Sequence, residues 1–446
     1  MPRRISRRSF VQTTVAVGAG LSLGRCASLR AAGAMERLNV ASVGCGGKGW
    51  SDLNGVAASP KVSIVALCNI DEGPKHLGQA AEKYAQAQRF TDWRNMLDAV
   101  KEIDAVIVST PDHMHAPISL AALERGKHVF CQKPLTHTVF EARQMRRAAE
   151  RAKVATQMGN QIQSNLEYRT AVALVHEGVI GKVEEVHSWQ SGKMRWLLDK
   201  DRPAGADPVP PGVHWDQWLG VAPERPYKDN IYHPFSWRAW QDFGTGQLGD
   251  FACHILDPVF MACELTAPRS VRAEAPPVNH EVWNDHSTVS YEFPGTARTA
   301  GPTLRVTWYD GEGHKPAHEV LGIASDVKLP GAGSLLKGQQ GSLLLPHVGM
   351  PQLLPADRFA DLKLPDVGKR DHYVSWADAC RGEGSPTSNF GYSGPLTEAV
   401  LLGTIAIRVP NETLAWDPAA LRITNSSAAN ALLTKSYRNG WEPKWG

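Results

Sequence analysis

The sequence predicts an α/β protein whose first third is a parallel sheet wound by helices. Three observations predict it: a glycine-rich loop directly after an apolar strand, apolar runs that alternate with helical patterns, and enough apolar length for more than one core. The chain has 446 residues, 42% hydrophobic and 21% charged, a balance that excludes a disordered chain.

The first strand, Leu38–Val43, runs straight into Gly44-Cys45-Gly46-Gly47-Lys48-Gly49. Strand, GxGxxG and helix in that order form a dinucleotide-binding fingerprint. Gly44 permits the tight turn, Gly46 lets backbone approach a pyrophosphate, and Gly49 lets the helix pack closely on the strand. Gly47 lies in the same loop, and the phosphates would sit at the helix N-terminus. Val62–Cys68 reads as the second strand and ends at Asn69-Ile70-Asp71, where an acid would bond the adenosine ribose. Asn69 can bond ribose hydroxyls and Asp71 can repel a 2′-phosphate, so NAD is expected, with NADP left open.

Residues 105–109, His128–Cys131 and 154–158 read as further buried strands, with helical patterns at 72–86, 115–126, 138–153 and 165–177. The alternation implies right-handed crossovers and a Rossmann dinucleotide-binding domain over 35–160. In the remainder, 161–446, strands are expected at 287–293 and 303–309, and loops with short strands over the sheet at 311–370. Helices are expected at 373–380 and 396–409, the second packing back on the nucleotide domain.

Residues 1–34 carry six arginines and no acid, so without them the net charge changes from +3 to −3. That excludes a nucleic-acid binder or a polybasic membrane binder. Ser6-Arg7-Arg8-Ser9-Phe10-Val11, a weakly apolar run and Ala32-Gly33-Ala34 stand in the order of a twin-arginine signal peptide cleaved after Ala34. Export to a periplasm, without a membrane anchor, is expected. The six later cysteines lack zinc-type spacing and read as structural thiols, and no metal is expected. Asp112, His113 and His115 invite a metal reading, but the prolines at 111 and 117 favour a strand-to-helix loop.

The glycine loop, Ser109-Thr110-Pro111-Asp112-His113-Met114-His115, Gln132-Lys133-Pro134-Leu135 and Gly246-Gln247-Leu248-Gly249-Asp250-Phe251-Ala252-Cys253-His254 together resemble the Gfo/Idh/MocA oxidoreductases. The resemblance implies a C-terminal α/β domain with an open, mainly antiparallel sheet, a substrate held between that sheet and the nicotinamide, and a homo-oligomer, dimer or tetramer. It places Thr110, Pro111, His115, Gln132 and Lys133 at the cofactor. The family has Glu-Lys-Pro where this chain has Gln132-Lys133-Pro134.

Lys133 stands at the carboxyl edge of the sheet, where its ammonium can stabilise negative charge on a reacting oxygen. Asp250, His254 and Asp257 are spaced to share one helix face. His254 is the expected general base, Asp250 its orienting group or a ligand for a neighbouring hydroxyl, and Asp257 structural. Asn160 can present an amide to cofactor or substrate. The aromatic stretch 189–240, with Trp237, can stack on sugar rings, and Arg195 can bond hydroxyls.

The expected activity is hydride transfer from a secondary hydroxyl of a sugar, glycoside or cyclitol to tightly held NAD(P). The alternatives are redox-neutral glycoside cleavage through a 3-keto intermediate and non-catalytic sugar binding.

Overall fold

A computed structural model describes residues 36–193 and 201–445. The leader and Arg195 lie outside them. The first sheet contains β1 (Leu38–Val43), β2 (Val62–Cys68), β3 (Gln88–Phe90), β4 (Ala105–Val108), β5 (His128–Cys131) and β6 (Thr156–Met158). Its order is β3-β2-β1-β4-β5-β6, and every pairing is parallel. β4 is buried along its whole length, as expected for strands covered on both faces. The Rossmann topology reverses between β1 and β4, which places the ligand crevice beyond their carboxyl ends.

Among the described residues the second sheet has nine strands, in the order β13-β12-β11-β7-β10-β9-β8-β14-β15. They are β7 (Val183–Gln190), β8 (Ser270–Glu274), β9 (Ser287–Pro294), β10 (Thr303–Asp310), β11 (Ala332–Gly338), β12 (Gly341–Pro346), β13 (Gln352–Leu354), β14 (Thr413–Asp417) and β15 (Arg422–Ile423). Of these only β10 and β7 pair in parallel, so the sheet is open and mainly antiparallel. The segment 332–354 holds short strands as expected but corrects their place: they lie not over the sheet but in it, as three of its strands. Leu335, Leu336, Leu343 and Leu344 are buried because both faces of this hairpin are covered, which removes the alternation that marks a strand.

The helix predicted at 396–409 spans Phe390–Arg408 and packs back on the helix Val139–Ala152. There Arg143 grips Glu398 with two bonds of 2.7 Å. The bidentate fork is buried on both sides. The six cysteines from Cys45 to Cys380 are buried free thiols. No described helix is long and apolar enough to cross a membrane.

Candidate active site

A cavity of about 1000 Å³ opens at the crevice predicted by the topology. Gly44, Gly46, Gly47, Asn69, Thr110, Pro111, Gln132, Lys133, Trp237, Asp250 and His254 all line it. All the predicted catalytic groups and most of the predicted cofactor groups therefore converge on one space, which is the size of a ligand site.

The glycine loop is required by close approach. Gly44 has φ +86°, and a Cβ there would come within 2.4 Å of the Ser109 oxygen. A Cβ on Gly49 would come within 2.1 Å of the Gly44 oxygen, so Gly49 is what lets the helix Lys48–Ala57 seat on β1. Gly46 differs from its expected role in part, because the His76 ring fills the place of its missing side chain. No side chain caps the N-terminus of that helix, which leaves backbone N–H groups for an anion. Asn69 Nδ2 and Thr110 Oγ1 are buried on the cavity wall without a hydrogen-bond partner among the described residues. Open donors at the ribose and nicotinamide ends, with an uncapped helix between them, fit a bound dinucleotide.

Lys133, on the segment leaving β5, donates to Asp250 Oδ1 at 2.6 Å and to the Asp250 carbonyl at 2.7 Å. Arg238 Nε reaches the same carboxylate oxygen at 3.2 Å. Burial works against ionised Asp250, but the two cations outweigh it and hold the carboxyl well below its usual range. This corrects the expected Asp250–His254 pairing: Asp250 serves the amine, and His254 Nδ1 makes no hydrogen bond among the described residues. Burial first, then the Lys133 charge, drives the His254 pKa well below that of a free imidazole, so the ring is a neutral proton acceptor. An ammonium has three donors; with two spent on Asp250, one remains for a substrate oxygen.

Five further expectations change. Asp257 does not share the helix of Asp250 and His254. That helix, Gly246–Ile255, ends before Asp257, and Pro258 starts the next one. The Asp257 carboxylate instead accepts bonds from Gln163 and Tyr392, the structural role expected of it. His115 bonds the carbonyls of Pro134 and Thr110 at 2.8 and 2.9 Å, so it ties together the backbone bearing Lys133 and Thr110 and does not line the cavity. Asn160 is fully buried away from the cavity, which its neighbour Gln161 lines instead. Asp71 bonds His233 at 2.7 Å and the Gly73 amide at 2.8 Å, leaving Asn69 as the group that faces the ribose position. Much of the aromatic stretch packs on itself: Trp215 stacks on Trp218 at 4.7 Å, and Tyr232, Trp240 and Phe243 are buried beside them. Trp237 and Phe235 remain on the cavity wall.

Sequence reasoning missed Asp52 and His347. Asp52, fully buried, accepts from Gln132 Nε2, Ser109 Oγ, Lys48 Nζ and Tyr373 OH at 2.5–3.0 Å. The carboxylate absent at position 132 therefore stands one residue away in space, on the first helix. His347 lines the cavity with its ring centroid 6.0 Å from that of His254 and Nδ1 2.7 Å from the Tyr168 hydroxyl. Neither residue lies in a local motif, so no spacing signal could have found it.

A Rossmann crevice whose cavity carries a lysine and a neutral imidazole together with the glycine loop has the make-up of a nicotinamide-dependent oxidoreductase class. The profile of the oxidoreductase family with an NAD-binding Rossmann fold matches residues 38–160, and that of its C-terminal alpha/beta domain matches 166–299. The chain belongs to the Gfo/Idh/MocA family, with NAD as the family's cofactor. It is 28% identical over 253 residues to levoglucosan dehydrogenase of Pseudarthrobacter phenanthrenivorans, covering 53% of this chain and 54% of that protein. It is 27% identical over 219 residues to an alpha-N-acetylgalactosaminidase of Shewanella oneidensis, covering 44% and 48% respectively. The chain thus matches about half the length of these curated relatives. The WlbA dehydrogenase of Chromobacterium violaceum, solved with NADH and UDP-GlcNAcA, is similar in fold, with a TM-score of 0.59 at 17% identity over 86% of this chain and 97% of that one.

Proposed function

We propose that the protein oxidises a secondary hydroxyl of a sugar, glycoside or cyclitol with tightly held NAD. The observation that carries this reading is the convergence of Lys133, Asp250 and His254 on the cavity of the glycine loop. Bound nicotinamide supplies the hydride acceptor. His254 takes the hydroxyl proton, the free N–H of Lys133 steadies the developing alkoxide, and Asp250 holds that amine in place. Trp237 and Phe235 offer apolar faces, and Gln190, Gln217 and Gln247 offer amides, to a polyhydroxylated ring. The near-ultraviolet absorbance of reduced nicotinamide, followed while a panel of glycosides is added, tests the reading. His254→Ala should abolish the change with cofactor still bound, and unchanged cycling would overturn the assigned base.

The resemblance to an alpha-N-acetylgalactosaminidase and to glycosyl hydrolase family 109 proteins favours a second reading. There the oxidation would be transient: the C–H beside the new ketone would lose its proton, the aglycone would leave with the electron pair of the glycosidic C–O bond, water would add to the resulting double bond, and return of the hydride would reduce the ketone. Free sugar without net reduced nicotinamide distinguishes it from simple dehydrogenation. Twin-arginine export to the periplasm, as a homo-oligomer, completes the proposal: a retained, recycled cofactor suits a compartment without free NAD. Replacing Arg7 and Arg8 with lysine should keep the protein in the cytoplasm, and light scattering gives the subunit number.

A further inference from the structure

Three metal-type donors meet at the cavity, two of them on its wall, although the sequence shows no metal spacing. Asp71 and His76 follow β2, and His233 comes from the aromatic insertion. Asp71 Oδ2 lies 2.7 Å from His233 Nε2 and 3.4 Å from His76 Nε2. All three ligand atoms lie within 4.8 Å of one another. Hydrogen bonding accounts for His233 but leaves the approach of His76 to the same oxygen unexplained, since 3.4 Å is long for an N–H···O bond. An ion between the three would account for both imidazoles.

We propose that Asp71, His76 and His233 form a site for a divalent first-row transition metal, zinc or a near relative. Two imidazoles and one carboxylate suit such ions better than magnesium or calcium, and three protein ligands leave a coordination position open. The ligands are held from behind. The Gly73 amide fixes Asp71 Oδ1 at 2.8 Å, leaving Oδ2 as a single donor. The strand end and the insertion are stitched by Glu72 N to Gly212 O at 2.9 Å and His214 N to Ile70 O at 2.8 Å. Both imidazoles line the cavity with Gly46 and Gly47, and the His76 ring lies against Gly46. The open position would face the cavity shared with that loop, and its natural occupant is a phosphate oxygen of the dinucleotide. This last step rests on the cofactor assignment; metal binding itself does not.

The test is titration of chelator-treated full-length protein with Zn²⁺ and Co²⁺ in the absence of nucleotide. Stoichiometry comes from elemental analysis and geometry from the Co²⁺ visible spectrum. We expect one ion per chain, and affinity at least about tenfold lower in His233→Ala, His76→Ala and Asp71→Asn. His286→Ala, at an exposed imidazole whose ring lies beside His314, should bind like wild type. Folding of each variant is checked by circular dichroism, and a metal-induced rise in Tm should occur in wild type and vanish in folded variants. Substoichiometric binding by wild type, or wild-type affinity in His233→Ala, would overturn the site. If the ion binds but chelation leaves NAD affinity unchanged, the phosphate contact is overturned and the site stands.

Discussion

Lys133 and Asp250, 117 positions apart, are joined through both the side chain and the backbone of the aspartate at 2.6 and 2.7 Å. The strand-end amine is thus locked to the active-site helix by an ion pair whose members are largely shielded from water. Asp250→Asn keeps the shape but removes the charge that fixes the ammonium. We expect kcat/KM to fall about 10²-fold, the scale of losing one preorganised electrostatic contact, with little change in cofactor binding. Lys133→Arg should not restore activity in that background, because a planar fork cannot replace a compact ammonium. Steady-state kinetics beside cofactor titration separate these effects.

Gln132 and Asp52 make the opposite kind of pair. The Gln132 amide donates to Asp52 Oδ2 at 2.8 Å in a fully buried setting. Gln132→Glu would restore the family residue yet remove a donor from Asp52 and face it with a like charge. The expected cost at neutral pH is about 1–3 kcal/mol, read as a lower Tm. Since the introduced carboxyl could donate again once protonated, the deficit should shrink on acidification. The double variant Gln132→Glu with Asp52→Asn should recover most of the loss; no recovery would show that Asp52 is not the compensating carboxylate.

The contrast between these pairs explains what could be read from the chain. β4 announces itself as an unbroken apolar run, β1, β2 and β5 as runs with only one or two polar residues each, and Lys133, Asp250 and His254 sit in local motifs whose spacing survives folding. β3 is a three-residue, mostly exposed edge strand defined by its pairing to β2, so no side-chain pattern marks it. The nearby helix Trp93–Ala99 was missed too, although Asp92 caps it, because its seven residues are too few to build a periodicity. Asp52, His347 and the Asp71–His233 bond, which spans 162 positions, depend on contacts between distant elements. Burial also redirected a residue with the right chemistry, since His115 spends both ring nitrogens on carbonyls, whereas Asp257, enclosed by Gln163 and Tyr392, is structural as expected.

His254 carries a pH prediction. Burial, and then the Lys133 charge, lower its pKa below the free value, and the base works only unprotonated. Activity should therefore persist as pH falls through about 6.5, where an ordinary histidine gains its proton, and be lost only further into acid. Lys133→Met removes the second-largest cause and leaves burial, the largest, so the acid limb of its residual kcat/KM should move upward without reaching the free value. An acid limb already near the free value in wild type would remove His254 from the assigned role.

Close packing of helix on strand sets an order of severity in the glycine loop. A Cβ on Gly49 would meet the oxygen and carbon of Gly44 at 2.1 and 2.8 Å, and backbone atoms cannot swing aside as a flexible side chain would. Gly49→Ala must lift the helix Lys48–Ala57 off β1, displacing Lys48 and Asp52 together. Overpacking of this kind costs about 1–3 kcal/mol, and cofactor affinity should drop because the helix N-terminus moves with it. Gly47 has φ +53°, but a Cβ there would meet nothing within 4 Å. Gly47→Ala should cost only the backbone strain of φ +53° with ψ −117°, about 1–3 kcal/mol, and should displace no backbone. Thermal unfolding reads both costs, and NAD titration should rank Gly49→Ala as the worse substitution. If Gly47→Ala proves equally damaging to cofactor affinity, helix-to-strand contact is not what the third glycine protects.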